Sequence, residues 1–226
     1  MKSLIKFVLI STGLLLIIMG VVIAVGHGQM ERMIHESTRQ ALSQELGGVH
    51  VDIQSVTMPW RGPSIELQGV VISNPPVFQD GFVLRVDKAE LRFRLAELLA
   101  DVPVIDEMRL SGVAVDVKHR LTSGTNANQI IQHADLDGTS GRIQGRNISI
   151  KRLVLSEAAT FSVSSTLLPA RPAPIEVEPF TMESPDGFKG DAGWFAAKVI
   201  HETIDRAMTV ENITQGIRDL FREPKS

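Results

Sequence analysis

Six histidines, His27, His35, His50, His119, His133 and His201, are the residues of this 226-residue chain best suited to acid–base or metal chemistry. They are scattered along its whole length. His201-Glu202-Thr203-Ile204-Asp205 has the spacing of a zinc-protease helix, but aspartate stands where the second histidine ligand belongs. An exposed helical face accounts for it better. His119 and His133 flank a segment followed by Asp135 and Asp137, a set that would hold an ion only weakly. Ser111-Gly112 and Ser123-Gly124 lack the strand-to-helix flanks of a nucleophile elbow. Gly138 to Gly145 carries glycines without the strand-to-helix turn of a phosphate-binding loop. Cysteine and tyrosine are absent, and the two tryptophans make no platform for stacking sugars or bases. These residues therefore predict no catalytic group, no metal site and no cofactor. The chain reads as a non-enzyme.

With no chemistry to position, the elements matter for the apolar faces they build. From Val49 the apolar period is two: Val49, Val51 and Ile53 alternate with His50, Asp52 and Gln54, as in a half-buried strand. Past Pro63, Ile65, Leu67, Gly69 and Val71 alternate likewise until Asn74-Pro75-Pro76. Further strands begin near Phe82 and Val104, and others hold Ile148 to Leu155, Phe161 to Val163 and Ile175 to Met182. Leu91 to Ala100 fits a strand or a short helix; strand through Arg94, then a helical turn, is the reading adopted. Thr125 to His133 predicts a short helix.

Three strands switch the parity of their apolar residues. Leu84 and Val86 give way to Ala89, Leu91 and Phe93; Met108 and Leu110 give way to Val113, Val115 and Val117 across Ser111-Gly112. Ile148 and Ile150 shift to Leu153 and Leu155. Bulges or strong bends produce such switches. Three in one sheet predict a curved, mainly antiparallel β-sheet closing toward a half-barrel or trough. An ordinary twisted sheet covered by its own helices fits the pattern equally.

The chain ends are helical in pattern. Phe7 to Val25 is a run of 19 residues without a charge. At about 1.5 Å per residue it spans about 28 Å, close to the ~30 Å hydrocarbon core of a bilayer. Mean hydropathy is +0.09 for the whole chain. Without this run the rest averages about −0.16 on the same scale. Lys2 and Lys6 precede it, so the positive-inside bias predicts residues 1–6 in the cytoplasm, an anchor over 7–25 and the body beyond. Two other readings stay open: a cleaved signal peptide, with small residues at Ala24-Val25-Gly26, and a core helix of a soluble protein. Residues 29–48 read as a stalk helix stopped by Gly47-Gly48, and 49–185 as the sheet domain. Residues 191–222 read as a C-terminal amphipathic helix, with Asp191 as N-cap and Ala197, Ile200, Ile204 and Ala207 on one stripe. The predicted class is α+β. Without residues 1–26 the body holds 21 Lys+Arg against 26 Asp+Glu, or −5, with no basic patch for nucleic acid.

An ordered series of segments carries a resemblance. After the apolar run come GGVHVDIQSV, GPSIELQGVVISNPPVF, VLRVDKAELRFRLAELLADVPVIDEMRLSGVAVDVK, TNANQIIQHA and NISIKRLVLSEAATFSV. The series resembles the AsmA-like family of bacterial envelope proteins, which is related to the bridge-like lipid-transfer proteins. The likeness covers about residues 1–165, and Val86 to Val117 followed by Asn128 is its most specific part. It implies a single-pass bacterial inner-membrane protein with its N-terminus in the cytoplasm and its body in the periplasm. It also implies an apolar groove and a role in envelope lipid homeostasis, and it transfers no catalytic residue. About seven strands at ~4.8 Å span about 34 Å, so one copy would make a poor conduit between two membranes.

The expected partners are the membrane, a phospholipid or other acyl-chain lipid, and an envelope protein. Leu67, Val71, Leu91, Phe93, Val113, Val115, Ile148 and Ile150 are the expected lining of the groove. The competing expectation is a membrane-anchored interaction or assembly protein. Its core would be closed, with these same side chains packed against the C-terminal helix.

Overall fold

A computed structural model of the chain describes Ser43, Leu46 and residues 48–59, 63–78, 81–98, 102–134, 136, 148–165 and 173–209. The expected anchor over 7–25, most of the stalk and the C-terminal stretch after Thr209 lie outside the described residues. Among those described, no helix is long and apolar enough to cross a membrane.

The first four strands are β1 (Val51–Thr57), β2 (Ser64–Ser73), β3 (Phe82–Phe93) and β4 (Val104–Arg120), with the short α1 (Leu95–Leu98) between the last two. After them come β5 (Gly124–Thr125), α2 (Asn126–His133), β6 (Ile148–Leu155) and β7 (Ala159–Ser165). The chain continues through β8 (Ile175–Val177), β9 (Phe180–Gly190) and α3 (Ala192–Ala207). β1 to β4 form an antiparallel meander. β6 and β7 pair in parallel with successive halves of β4. A parallel return needs a crossover, and β5 and α2 begin it. β9 and β8 then run antiparallel to β6 and β7. β6–β7 and β9–β8 are thus two interrupted strand paths, and the sheet is six paths wide.

No ladder joins β1 to β8 or β9 among the described residues, so the sheet stays open. It does not curl into the expected half-barrel. The switches of β3 and β4 are real, but they fall in one transverse seam; that of β6, between Ile150 and Leu153, lies apart from it, at a register shift against β9. Val56, Leu67, Ala89, Leu110, Leu155 and Phe180 form one apolar row across all six paths. The next row holds Ile53, Val70, Val86, Val113, Ala159 and Val177. Within β1 to β4 these rows lie three residues apart, where regular alternation would require two or four. Between them run Gln54, Gly69, Asp87 and Gly112.

The register of β2 against β3 is unchanged through this seam, with Gln68↔Lys88 on one side and Val70↔Val86 on the other. Gly69 and Gly112 absorb the switch with φ of +62° and +61°. A Cβ on Gly69 would stand 2.8 Å from Gln54 Cβ, and one on Gly112 2.6 Å from Asp87 Cβ. Each strand thereby returns its apolar residues to the same face. The expected alternation of Leu67 with Gly69 and Val71 is corrected here: after Gly69 the inward residues are Val70 and Ile72, both buried.

The opposite face is charged. Lys88 Nζ lies 2.7 Å from Glu66 Oε2, Arg109 Nη2 2.9 Å from Glu107 Oε1, and Arg152 Nε 3.0 Å from Glu183 Oε1. Such pairs, within β4 and across neighbouring strands, keep this face toward water. The helices cover the other face, burying Ile130 of α2 and Phe195, Val199 and Ile200 of α3. Asp191 caps α3 by accepting from the Trp194 N–H at 2.7 Å. The helix ends at Ala207, so the stripe predicted across 191–222 is interrupted there.

At the N-terminus of α2, Thr125 Oγ1 accepts from the Asn128 N–H at 3.1 Å. The buried side chain is Asn126, not Asn128. Asn126 Nδ2 donates to Asp116 O and to Asn74 Oδ1, and its Oδ1 accepts from Lys118 N and Ala127 N, each at 2.8 Å. One amide thus ties β4, the loop after β2 and the start of α2 together.

Candidate functional site

Beneath α3 the apolar face of the sheet is incompletely filled. A cavity of about 330 Å³ lies there, and the fifteen described residues that line it all have apolar side chains. β2 contributes Ile65, Leu67, Val70 and Ile72, from both sides of the seam. β3 contributes Leu84, Val86, Ala89 and Leu91, and β4 adds Met108 and Leu110. The roof is Ala192, Phe195, Ala196 and Val199, one face of α3 at helical spacing. Ile148 of β6 completes the wall.

Why space remains follows from residue size. Ala89, Ala192 and Ala196 are the short side chains of the lining, and each leaves space that a Leu would occupy. The seam matters too. Without the switch at Gly69, Val71 would face inward in place of Val70 and Ile72.

The cavity is graded along the strands. Ile72, Leu84 and Val86 at one end are 1%, 3% and 4% exposed. Ile65, Leu67, Leu91, Met108 and Ile148 at the other end are only half-buried. Ile65, Leu91 and Met108 are cross-strand partners in a single row, so the open end is a short apolar rim.

Of the eight expected lining residues, the structure brings three to the cavity: Leu67, Leu91 and Ile148. Val113 and Val115 are buried in the main core beyond its wall. Ile150 packs with Ile105 and Phe195 in a second small cluster, and Phe93 is buried near the end of the sheet. Val71 falls on the opposite face from Leu67, because the seam lies between them. The residues missed on β2 are Ile65, Val70 and Ile72. Phasing the second half of that strand from Ile72 rather than from Gly69 would have found two of them.

Among the described residues no titratable side chain lines the cavity. The perturbed carboxylates belong to the charged face. Hydrogen bonding to the Lys88 ammonium, helped by the Gln68 amide, holds Glu66 below the usual carboxylate range. The Lys151 ammonium, at 2.9 Å, does the same for Asp106. Among the described residues no three His, Asp or Glu side chains converge as a metal site would require. His119 Nδ1 is 3.4 Å from Ser165 Oγ, while Asp135 and Asp137 lie outside the described residues. His201 Nε2 stands 3.9 Å from Asp205 Oδ2 on α3.

No protein-family model matches the chain, and no curated protein matches it.

Proposed function

We propose that this chain is a membrane-anchored bacterial envelope protein of AsmA-like type that holds a lipid acyl chain beneath α3 and so supports envelope lipid homeostasis. The observation that carries the reading is the 330 Å³ cavity, lined among the described residues by apolar side chains. Sealed and dry, a void of that size would cost about 8 kcal/mol at ~24 cal/mol per Å³. That rivals the whole stability of a domain, about 5–15 kcal/mol. Water entering from the half-open end would find no polar partner on the walls. An acyl chain offsets both costs, gaining about 0.8 kcal/mol per buried CH₂. The trough of this proposal is an open sheet roofed by a helix, not a sheet curled on itself. The space left under the roof weighs against the alternative, an assembly protein with a closed core.

In the same reading residues 7–25 anchor the chain in the inner membrane, with residues 1–6 in the cytoplasm and the sheet in the periplasm. Native mass spectrometry of the full chain, extracted into amphipol, tests the central claim. A co-purifying mass that dissociates as an acyl-chain lipid is expected. A bare chain that also fails to take up a fluorescent fatty acid would sink it.

A further inference from the structure

We infer that the cavity selects single-chain amphiphiles, fatty acids or lysolipids of about a dozen carbons, and takes them tail-first through the Ile65–Leu91–Met108 rim. This rests on the acyl-chain reading above and sharpens it to a ligand class. Size is the first ground. A 150 Å³ apolar cavity holds one benzene, so 330 Å³ accommodates roughly a dozen carbons. The two chains of a diacyl phospholipid are far larger.

Shape is the second ground. The lining follows β2 lengthwise, from Ile65 to Ile72. Spread over that length, the volume leaves room for one hydrocarbon chain and not for two abreast. Direction is the third. The end at Ile72, Leu84 and Val86 is closed by buried side chains, and the end at Ile65, Leu91, Met108 and Ile148 is half-buried. With only apolar side chains among the described lining residues, nothing inside satisfies a headgroup, and the polar end stays at the open rim. The seam lets a chain lie straight, because Leu67 and Val70 on either side of Gly69 both face inward.

The closed end acts as a ruler. Affinity rises about fourfold per added methylene while each new carbon finds a wall. Beyond the closed end, extra carbons stay in water and the gain stops. Ala196, on the roof, sets the free width, so Ala196→Leu shortens the usable length by about three carbons. Its helix propensity and half-buried position make it compatible with α3.

The test is calorimetry of the full chain in amphipol, titrated with octanoate, decanoate, laurate, myristate, palmitate and stearate, and separately with dioleoyl phosphatidylglycerol. Affinity should climb to about laurate and then level, the plateau should move toward octanoate in Ala196→Leu, and the diacyl lipid should bind at least tenfold more weakly than laurate. Affinity still climbing through stearate, or a preference for the diacyl lipid, overturns the single-chain assignment while leaving an acyl-chain protein. Binding of no acyl chain at all overturns both. If Ala196→Leu unfolds, Ala192→Leu on the same roof makes the same measurement.

Discussion

Asn126 has all four of its hydrogen-bonding positions engaged inside the protein, and it is fully buried. Replacing it with alanine removes two acceptors and two donors from groups packed around it. Each orphaned buried group costs about 1–3 kcal/mol. Asn126→Ala should therefore lower stability by at least about 3 kcal/mol in urea unfolding, while Asn128→Ala should stay within about 0.5 kcal/mol. Asn128 contributes only its backbone N–H to the Thr125 cap. The sequence alone does not tell the two asparagines apart. Both lie in the same polar run, and only the register of β4 against α2 tells which one is enclosed.

Gly112 in the seam and Gly124 in β5 admit a similar contrast. Gly112 and Gly124 both have positive φ, at +61° and +68°. A side chain at either costs about 1–2 kcal/mol for the left-handed backbone. At Gly124 an added Cβ meets nothing within 4 Å, whereas at Gly112 it meets Asp87 Cβ at 2.6 Å. That contact is close to the backbone, so no rotamer of Asp87 relieves it. Gly112→Ala should cost at least twice as much as Gly124→Ala, read as the shift in urea midpoint. Equal costs would remove the steric part of this account.

At the scale of elements, the strands were legible because their apolar residues alternate. β3, β4 and β6 also showed their parity switches, since an apolar side chain stands on each side of every switch. β2 hid its own. Gly69 carries no side chain to declare a face, and Val71 is apolar although it faces outward, so alternation ran past the seam unnoticed. The roof of the cavity was less legible still. Ala197, Ile200, Ile204 and Ala207 mark α3 as amphipathic, but which of its residues stand over a void depends on the helix position across the sheet.

The charged face makes a separate prediction. Glu66, paired with Lys88 across β2 and β3, has its carboxyl held below the ordinary range in the folded state. The unfolded chain then binds that proton more readily, so the pair contributes in full above the ordinary carboxylate pKa. The contribution fades as pH falls through the lowered folded value. Lys88 is shifted upward by the same partner, so its share is lost only in alkali. The pair is partly exposed and worth under about 1 kcal/mol. Glu66→Gln should be slightly less stable than the natural chain at neutral pH, and the difference should close on acidification and in high salt. A gap that persists in acid would mean that Glu66 acts through packing.

For the molecule as a whole, the open sheet and its helical roof are linked through Phe195. This side chain lines the cavity and also packs with Ile105 and Ile150 in the second cluster. Its edge meets the Trp194 ring at a centroid distance of 5.0 Å. It is therefore where the roof is fastened to the far end of β4 and β6, and where an occupant would touch the roof. Phe195→Ala should cost about 3–5 kcal/mol in the empty protein, the usual range for a large core truncation. It also merges the vacated space with the cavity. A ligand that binds only the folded state raises stability by RT ln(1 + [L]/Kd). If a tail fills the merged space, laurate should raise the Tm of Phe195→Ala more than that of the natural chain. Truncation of Ile53 to alanine, in the core beyond the cavity wall, should lower Tm without changing the laurate-induced increment. Equal increments in all three proteins would place the ligand away from α3 and break the link between roof and cavity.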